Sequence, residues 1–405
     1  DYRCVLNLKY IILQRSFFMY NVRENVQARI GNFRMDHYWL RYSNFIPKLF
    51  NWVLDLGFEK GKIMPSRAFC SDESQGYPII LLAKHFGAFP FNHGHIGGIM
   101  SCDRHGPHAH HGKDLVIVHA SHVGYDQSTK TYGKYRRIHS EDAEYSSNCG
   151  KIFNILDWYL KEYEFAKNNI FIDMRSNHCL ITIDNQYLSL SPELSLMLSL
   201  QKMIEQHKEE EQGAGEYIPI SIQSTSRTFM GTKSLFKQMS WFFEKNSEKQ
   251  PIGDALLPEY FTYKKELQTD YEGRHQIERN LLRAMPWIVT SSSPMLTAAQ
   301  ANTEAEFDRG FRSISQEPAY KGRNLLYISG LNVDISPETN QDYFLNKFIP
   351  WAAYIQLKSG EKYILEQTEL FETLERYSVE NPGQVKLDAV IKHMQQAEPI
   401  ELDIK

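Results

Sequence analysis

The sequence predicts an α/β protein with a mostly parallel sheet flanked by helices. Two observations lead there. Short runs of apolar residues on successive positions recur at "YPIILLA" (77–83), "DLVIVHA" (114–120) and "NNIFIDM" (168–174). Strands covered on both faces read this way, because neither side meets water. Helical patterns lie between them, notably "GKIFNILDWYLKEYEFAK" (150–167). Strands alternating with helices are the pattern of crossover connections. With 405 residues and 42% hydrophobic content, the chain has material for a large core and one to three domains.

The elements follow in order. Lys9, Gln14 and Arg15 interrupt the apolar start, which makes a poor signal peptide with no small-residue cleavage site. From Met19 the sequence reads like an ordinary protein start, so 1–18 is expected to be an extension without a functional role. Residues 20–58 read as helices, and "NFIPKLFNWVLDLGF" stops at Gly57. The stretch 85–114 is rich in Gly and His, too long and polar for a strand, and long structured loops are usually functional. "QHKEEEQGAGE" (206–216) is a charged surface loop. Helices are expected at 227–245 and 269–284, and a loop leading into a helix at 290–306. Strands are expected at 323–335 and 351–367, the second a hairpin turning at Ser359–Gly360. The tail from Thr368 reads as helix with a break at "ENPGQ". The expected organisation is an N-terminal helical extension (1–45), an α/β domain (46–365, with 206–320 possible as an insertion) and a helical tail (366–405).

A formal net charge of −4 gives no basic excess for nucleic acid or an anionic membrane. No apolar run reaches the ~18–20 residues of a membrane helix. The cysteines (Cys4, Cys70, Cys102, Cys149 and Cys179) are odd in number and widely spaced. That is no disulfide framework, and it fits a reducing, cytoplasmic setting where thiols serve as ligands, catalysts or core fillers.

Histidine is the most uneven residue: ten of fifteen fall between His85 and His139, with three cysteines in and around the same region. Such clustering favours a transition metal, zinc first. No CxxC or HExxH fixes the ligands, which would have to come from separate strand ends. The plainer reading stands beside it: "HGPHAHH" as a solvated loop, Cys102 as a small core residue, His119 as a satisfied core histidine.

Three pieces sharpen the case: "FCSDES" (69–74), "HASHVGYD" (119–126) with Gly124 allowing a turn after His122, and "YSSNCGKI" (145–152) with Cys149 at a helix start. Their order, with "FGAFPFNHGHIGG" and Gly133-Lys134-Tyr135-Arg136-Arg137 between them, resembles the limiting-CO2-inducible protein B/C family. These are Cys-, Gly- and His-rich relatives of β-type carbonic anhydrases. The resemblance is clear over 65–155; "ISGLNVDISPETNQDYF" (328–344) also looks like a family segment. It implies a β-carbonic-anhydrase-like fold, a homodimer, and zinc held by Cys70, His122 and Cys149. It further implies reversible hydration of CO2 to bicarbonate by zinc-bound hydroxide, with no nucleic-acid or membrane partner.

Within that frame Asp72 accepts a hydrogen bond from bound water and an arginine holds it off the metal. Ordinary β-carbonic anhydrases place this arginine two residues after the aspartate, where this chain has Ser74. Arg137 is preferred over Arg136 for the role. Cys102-Asp103-Arg104 is a decoy, and His93, His95 and His139 are candidate proton shuttles. Gly87, Gly94, Gly97 and Gly98 are expected to let backbone approach the pocket, and Phe86, Phe89 and Phe91 to wall it for CO2. The alternatives are an inactive, zinc-stabilised binding or regulatory protein, and a zinc hydrolase that uses the His-rich loop.

Overall fold

Burial on both faces organises the centre of the molecule. In the computed structural model, which describes residues 33–101, 113–136, 146–147, 149–188, 194–207, 215–267, 274–336 and 345–378, the main sheet has eight strands. Strand β1 (Leu40–Arg41) leads into helix α1 (Tyr42–Asp55). Strand β2 (Ile63–Ala68), helix α2 (Gly76–Phe86) and strand β3 (Phe91–Asn92) follow. Then comes β4 (Asp114–Asp126), thirteen residues of which only Tyr125 is less than buried.

Helix α3 (Gly150–Asn169) leads out to a second, five-stranded antiparallel sheet that contains β5 (Ile170–Met174), β6 (Cys179–Asp184) and β7 (Ser226–Met230). Helices α4 (Arg274–Leu282), α5 (Met285–Val289) and α6 (Pro294–Gln316) bring the chain back. Strands β8 (Leu325–Ile335), β9 (Leu345–Gln356) and β10 (Lys362–Glu366) complete the main sheet, and α7 (Gln367–Glu375) is the last described element.

The strand order is β1-β9-β8-β4-β2-β3, with β10 on β9 and a short strand at Thr131–Tyr132 on β4. The centre, β8-β4-β2-β3, is parallel, and the β9 side is antiparallel. The protein is thus mixed α/β, with a largely parallel central sheet between helical layers. Val116, Val118 and Ala120 of β4 share a core with α1, α2 and α7. Leu115, Ile117 and Val123 share another with α6. Alternate residues of a strand point to opposite faces, so two helical layers account for the unbroken apolar run.

Several expectations are corrected. Residues 77–83 form helix α2, not a strand. Its buried residues, Pro78, Leu81, Leu82 and Phe86, recur at helical spacing, and Gly87 caps the end with φ of 73°. A short apolar run does not by itself distinguish a strand from a buried helix. The run at 168–174 does form a strand, but in the second sheet; its alternating burial fits one covered face. Residues 227–245 split into β7 and a shorter helix, Lys233–Met239. The expected loop at 290–306 lies mostly inside α6, whose Ala298, Ala299, Asn302 and Thr303 are fully buried. Small side chains there let the helix lie close to the sheet. Gly124 does not turn the chain: β4 runs on to Asp126. The hairpin of β9 and β10 turns at Gly360 as expected. The residues before Met19 and the break at "ENPGQ" lie outside the described residues.

Candidate metal centre

Cys70 lies just beyond the end of β2, His122 on β4, and Cys149 immediately before α3. These places are far apart in sequence, yet the parallel pairing of β2 with β4 sets Ala68 beside His119 and so brings Cys70 level with the last turns of β4. The ligand atoms of Cys70, His122 and Cys149 all lie within 4.8 Å of one another, and all three residues are buried. Both cysteines are free thiols. Cys149 has φ of 54°, a left-handed conformation that costs a non-glycine residue energy and that clusters at functional sites. It also sits at the N-terminus of a 20-residue helix, whose dipole favours a thiolate.

Two features orient the donors. Gly97 donates its amide to Cys70 Sγ at 3.1 Å. Asp334 Oδ2 stands 2.9 Å from His122 Nδ1, so Nδ1 carries a proton and Nε2 is the nitrogen left to serve as a ligand. Nε2 is buried and has no hydrogen-bond partner. The protonation pattern points the same way. A hydrogen bond from Cys149, against the cost of burial and with help from His122, holds the Cys70 thiol well below its usual range. The same bond, together with burial, pushes Cys149 up. Burial opposes a charged His122, but the neighbouring Cys149 and the Asp334 hydrogen bond outweigh it and raise its pKa. Protons here are held by groups that would surrender them to a cation. Two sulfurs and one imidazole nitrogen, buried and converging, can hold a metal ion and leave a fourth tetrahedral position open.

Asp334 anchors more than His122. It accepts from Ser74 Oγ at 2.9 Å, from Gln75 Nε2 at 2.9 Å and from Asn346 Nδ2. Asn332 donates to Gln75 Oε1 and accepts from Tyr42, each at 2.6 Å. In register, Asn332 pairs with His122 and Asp334 with Gly124. Sequence reading missed Gln75, Asn332, Asp334 and Asn346 as site residues. A signal was present: Asn332 and Asp334 are polar residues two apart in an apolar strand, hence on one face.

The remaining expected residues divide. Asp72 caps a short 3₁₀ turn, accepting from the Ser74 amide at 3.1 Å, and its carboxylate is not among the three converging donors. Burial raises its pKa, while the His122 charge works against that. Ser74, at the position of the usual arginine, is buried and committed to Asp334. Arg137, His139, the segment Cys102-Asp103-Arg104 and the histidines at 105, 108, 110 and 111 lie outside the described residues. Arg136 bonds through its amide to Ser336 Oγ at 3.0 Å.

His93 is buried, with Nδ1 2.8 Å from the Ser101 carbonyl, and the exposed His95 meets Ser101 Oγ at 2.6 Å. His119 bonds Ser329 Oγ and the Gly98 carbonyl, as a satisfied core histidine would. The aromatic wall is not as expected: Phe86 packs edge-on against Phe50 in the core, and Phe89 and Phe91 are exposed. Gly98, with φ of 78°, meets the expectation of close approach: a Cβ there would stand 2.4 Å from the Ala120 carbonyl oxygen.

No protein-family model matches the chain. No curated protein matches it either. Solved structures do. PtLCIB4, a homologue of the limiting CO2-inducible protein LCIB, aligns over 82% of this chain and 95% of its own at 12% identity, with a TM-score of 0.47. LCIB itself aligns over 84% of this chain and 100% of its own at 12% identity, with a TM-score of 0.43. LCIB and its homologues are therefore the structural neighbours of this chain over most of its length, at low sequence identity.

Proposed function

We propose that the chain is a zinc-dependent carbonic anhydrase of the β type, catalysing the reversible hydration of CO2 to bicarbonate and a proton. The observation that carries this reading is the convergence of Cys70, His122 and Cys149 in one buried group, a three-donor set to which a tetrahedral ion would add a fourth ligand. Zinc in such a set supplies Lewis acidity and acidifies a coordinated water toward neutrality. The chain's own residues do the rest. Asp334 fixes the His122 ring, and Gly97 holds the Cys70 sulfur. In this reading Asp72 sits beside the open position and accepts a hydrogen bond from the reacting water. Arg137 pairs with Asp72 and keeps its carboxylate from taking that position.

A homodimer and a cytoplasmic setting belong to the same proposal. The free thiols of Cys70, Cys149 and Cys179 support a reducing compartment. Among the described residues no helix is long and apolar enough to cross a membrane.

Stopped-flow CO2 hydration by the zinc-loaded protein, beside Cys70→Ala and Arg137→Ala, tests the assignment. The parent should hydrate CO2, Cys70→Ala should fall to the buffer rate, and Arg137→Ala should lose most activity. Equal rates in all three would refute zinc-centred catalysis.

A further inference from the structure

A concavity lies at the end of the parallel strands opposite Cys70. Its volume is about 440 Å³, and its lining includes Lys60, Lys84, Lys113, His85, Phe50 and Phe86. It also touches Ile63, the first residue of β2, whereas Cys70 follows the last. Helix α2 runs from the Gln75 side to this cavity, and its eleven residues span about 16 Å. The cavity is therefore separate from the candidate metal centre.

Its charge is one-sided. Among the described residues three lysines and a histidine line it, and no carboxylate does. Lys84 is the telling residue: its Nζ is buried and makes no hydrogen bond. Burial pulls its pKa down, and His85 is lowered by burial and by the Lys84 charge. A lysine in the last turn of a helix is commonly explained by the helix dipole, but an ammonium in water serves that purpose. The neighbouring Lys62 shows what an unconstrained lysine does here, being exposed and 2.5 Å from Glu59. Burying an ammonium without an acceptor costs free energy unless an anion completes it.

The other wall is apolar, with Phe50 and Phe86 meeting edge-to-face at 5.2 Å. A volume of 440 Å³ falls in the range of small-molecule sites and is far more than one phosphate fills. We propose that this cavity binds a phosphomonoester, its phosphate on Lys84 between Lys60 and Lys113 and its apolar body against Phe50 and Phe86.

Calorimetric titration of the full-length chain with phenyl phosphate, inorganic phosphate and phenol tests this. Phenyl phosphate should bind saturably, and more tightly than either of the others. Lys84→Gln should weaken it roughly tenfold or more, the loss expected for one charge-assisted hydrogen bond. Lys60→Gln, an exposed change that spares the core, should also weaken it, and Lys62→Gln should not. Zinc content should be unchanged in all three variants, which separates this site from the metal centre. No saturable binding of phenyl phosphate at millimolar concentration, binding of inorganic phosphate or phenol as tight as that of phenyl phosphate, or full affinity in both Lys84→Gln and Lys60→Gln would overturn the proposal.

Discussion

His119 and His122 stand three residues apart on one strand and face opposite sides of the sheet, because the side-chain period of a strand is two. His122 meets Asp334 and the two sulfurs, and His119 meets Gly98 and Ser329. A carbonyl accepts at His119 Nε2, so that nitrogen carries the proton and Nδ1 accepts from the Ser329 hydroxyl. Burial then lowers the His119 pKa to about 4. In the unfolded chain it titrates near 6.5. The folded state thus prefers the neutral ring. That contribution is fully present above about pH 6.5 and is lost as pH falls toward 4, and it amounts to roughly 3 kcal/mol at most. His119→Gln should flatten the pH dependence of urea-unfolding stability across that window. At His122, Asp334→Ala should weaken zinc binding by roughly 10- to 100-fold in a chelator competition, since the second nitrogen loses its orienting partner. Cys70, His122 and Cys149 are named from the family resemblance that their surrounding motifs carry, and the fold brings the three together. Asp334 showed in the sequence only as a polar residue in an apolar strand: it lies 212 residues from His122, and only the pairing of β4 with β8 joins them.

Helix α6 does for the Gly-rich segment what Asp334 does for the imidazole. Asn302 donates to the Gly97 carbonyl at 2.9 Å and to Ser121 Oγ at 2.7 Å. Glu306 accepts from the Met100 amide at 2.7 Å, and Arg309 grips the Met100 carbonyl. The loop that presents an amide to Cys70 is thus held against both β4 and α6. Gly98→Ala should cost at least about 2 kcal/mol in urea unfolding, because a left-handed φ is added to a backbone clash that no rotamer relieves. Gly322→Ala, with a similar φ of 71° and nothing within 4 Å, should cost only about 1 kcal/mol. The role of α6 was hidden in the sequence because "TSSSPMLTAAQANTEAE" has few large apolar residues. Its small residues are what allow a helix to pack closely, a tertiary reason that local propensity does not carry. The same limit explains α2, where packing made a helix of a run that locally suits a strand.

Across the whole molecule, the alternating pattern foretold the α/β class and strands within β4 and β8, although of the three runs behind it one is a helix and one lies in the second sheet. It did not foretell that residues 170–251 build an antiparallel sheet of their own, because strand partners are set by contacts far along the chain. The candidate centre ties together β2, β4 and the start of α3, so a bound ion should stabilise the fold as a unit. Zinc at about a thousand times its Kd should add roughly 4 kcal/mol, seen as a rise in unfolding temperature that a chelator reverses. Cys70→Ala should abolish that rise. The contact between His122 and Asp334 also bears on when the site can form. All three sulfur and nitrogen donors have been synthesised by residue 149, but the carboxylate that aims the imidazole arrives only with β8. A chain ending at Asn324 should therefore hold zinc weakly although it contains every donor. Capture of a metal there would in this way wait until the last strands of the sheet close.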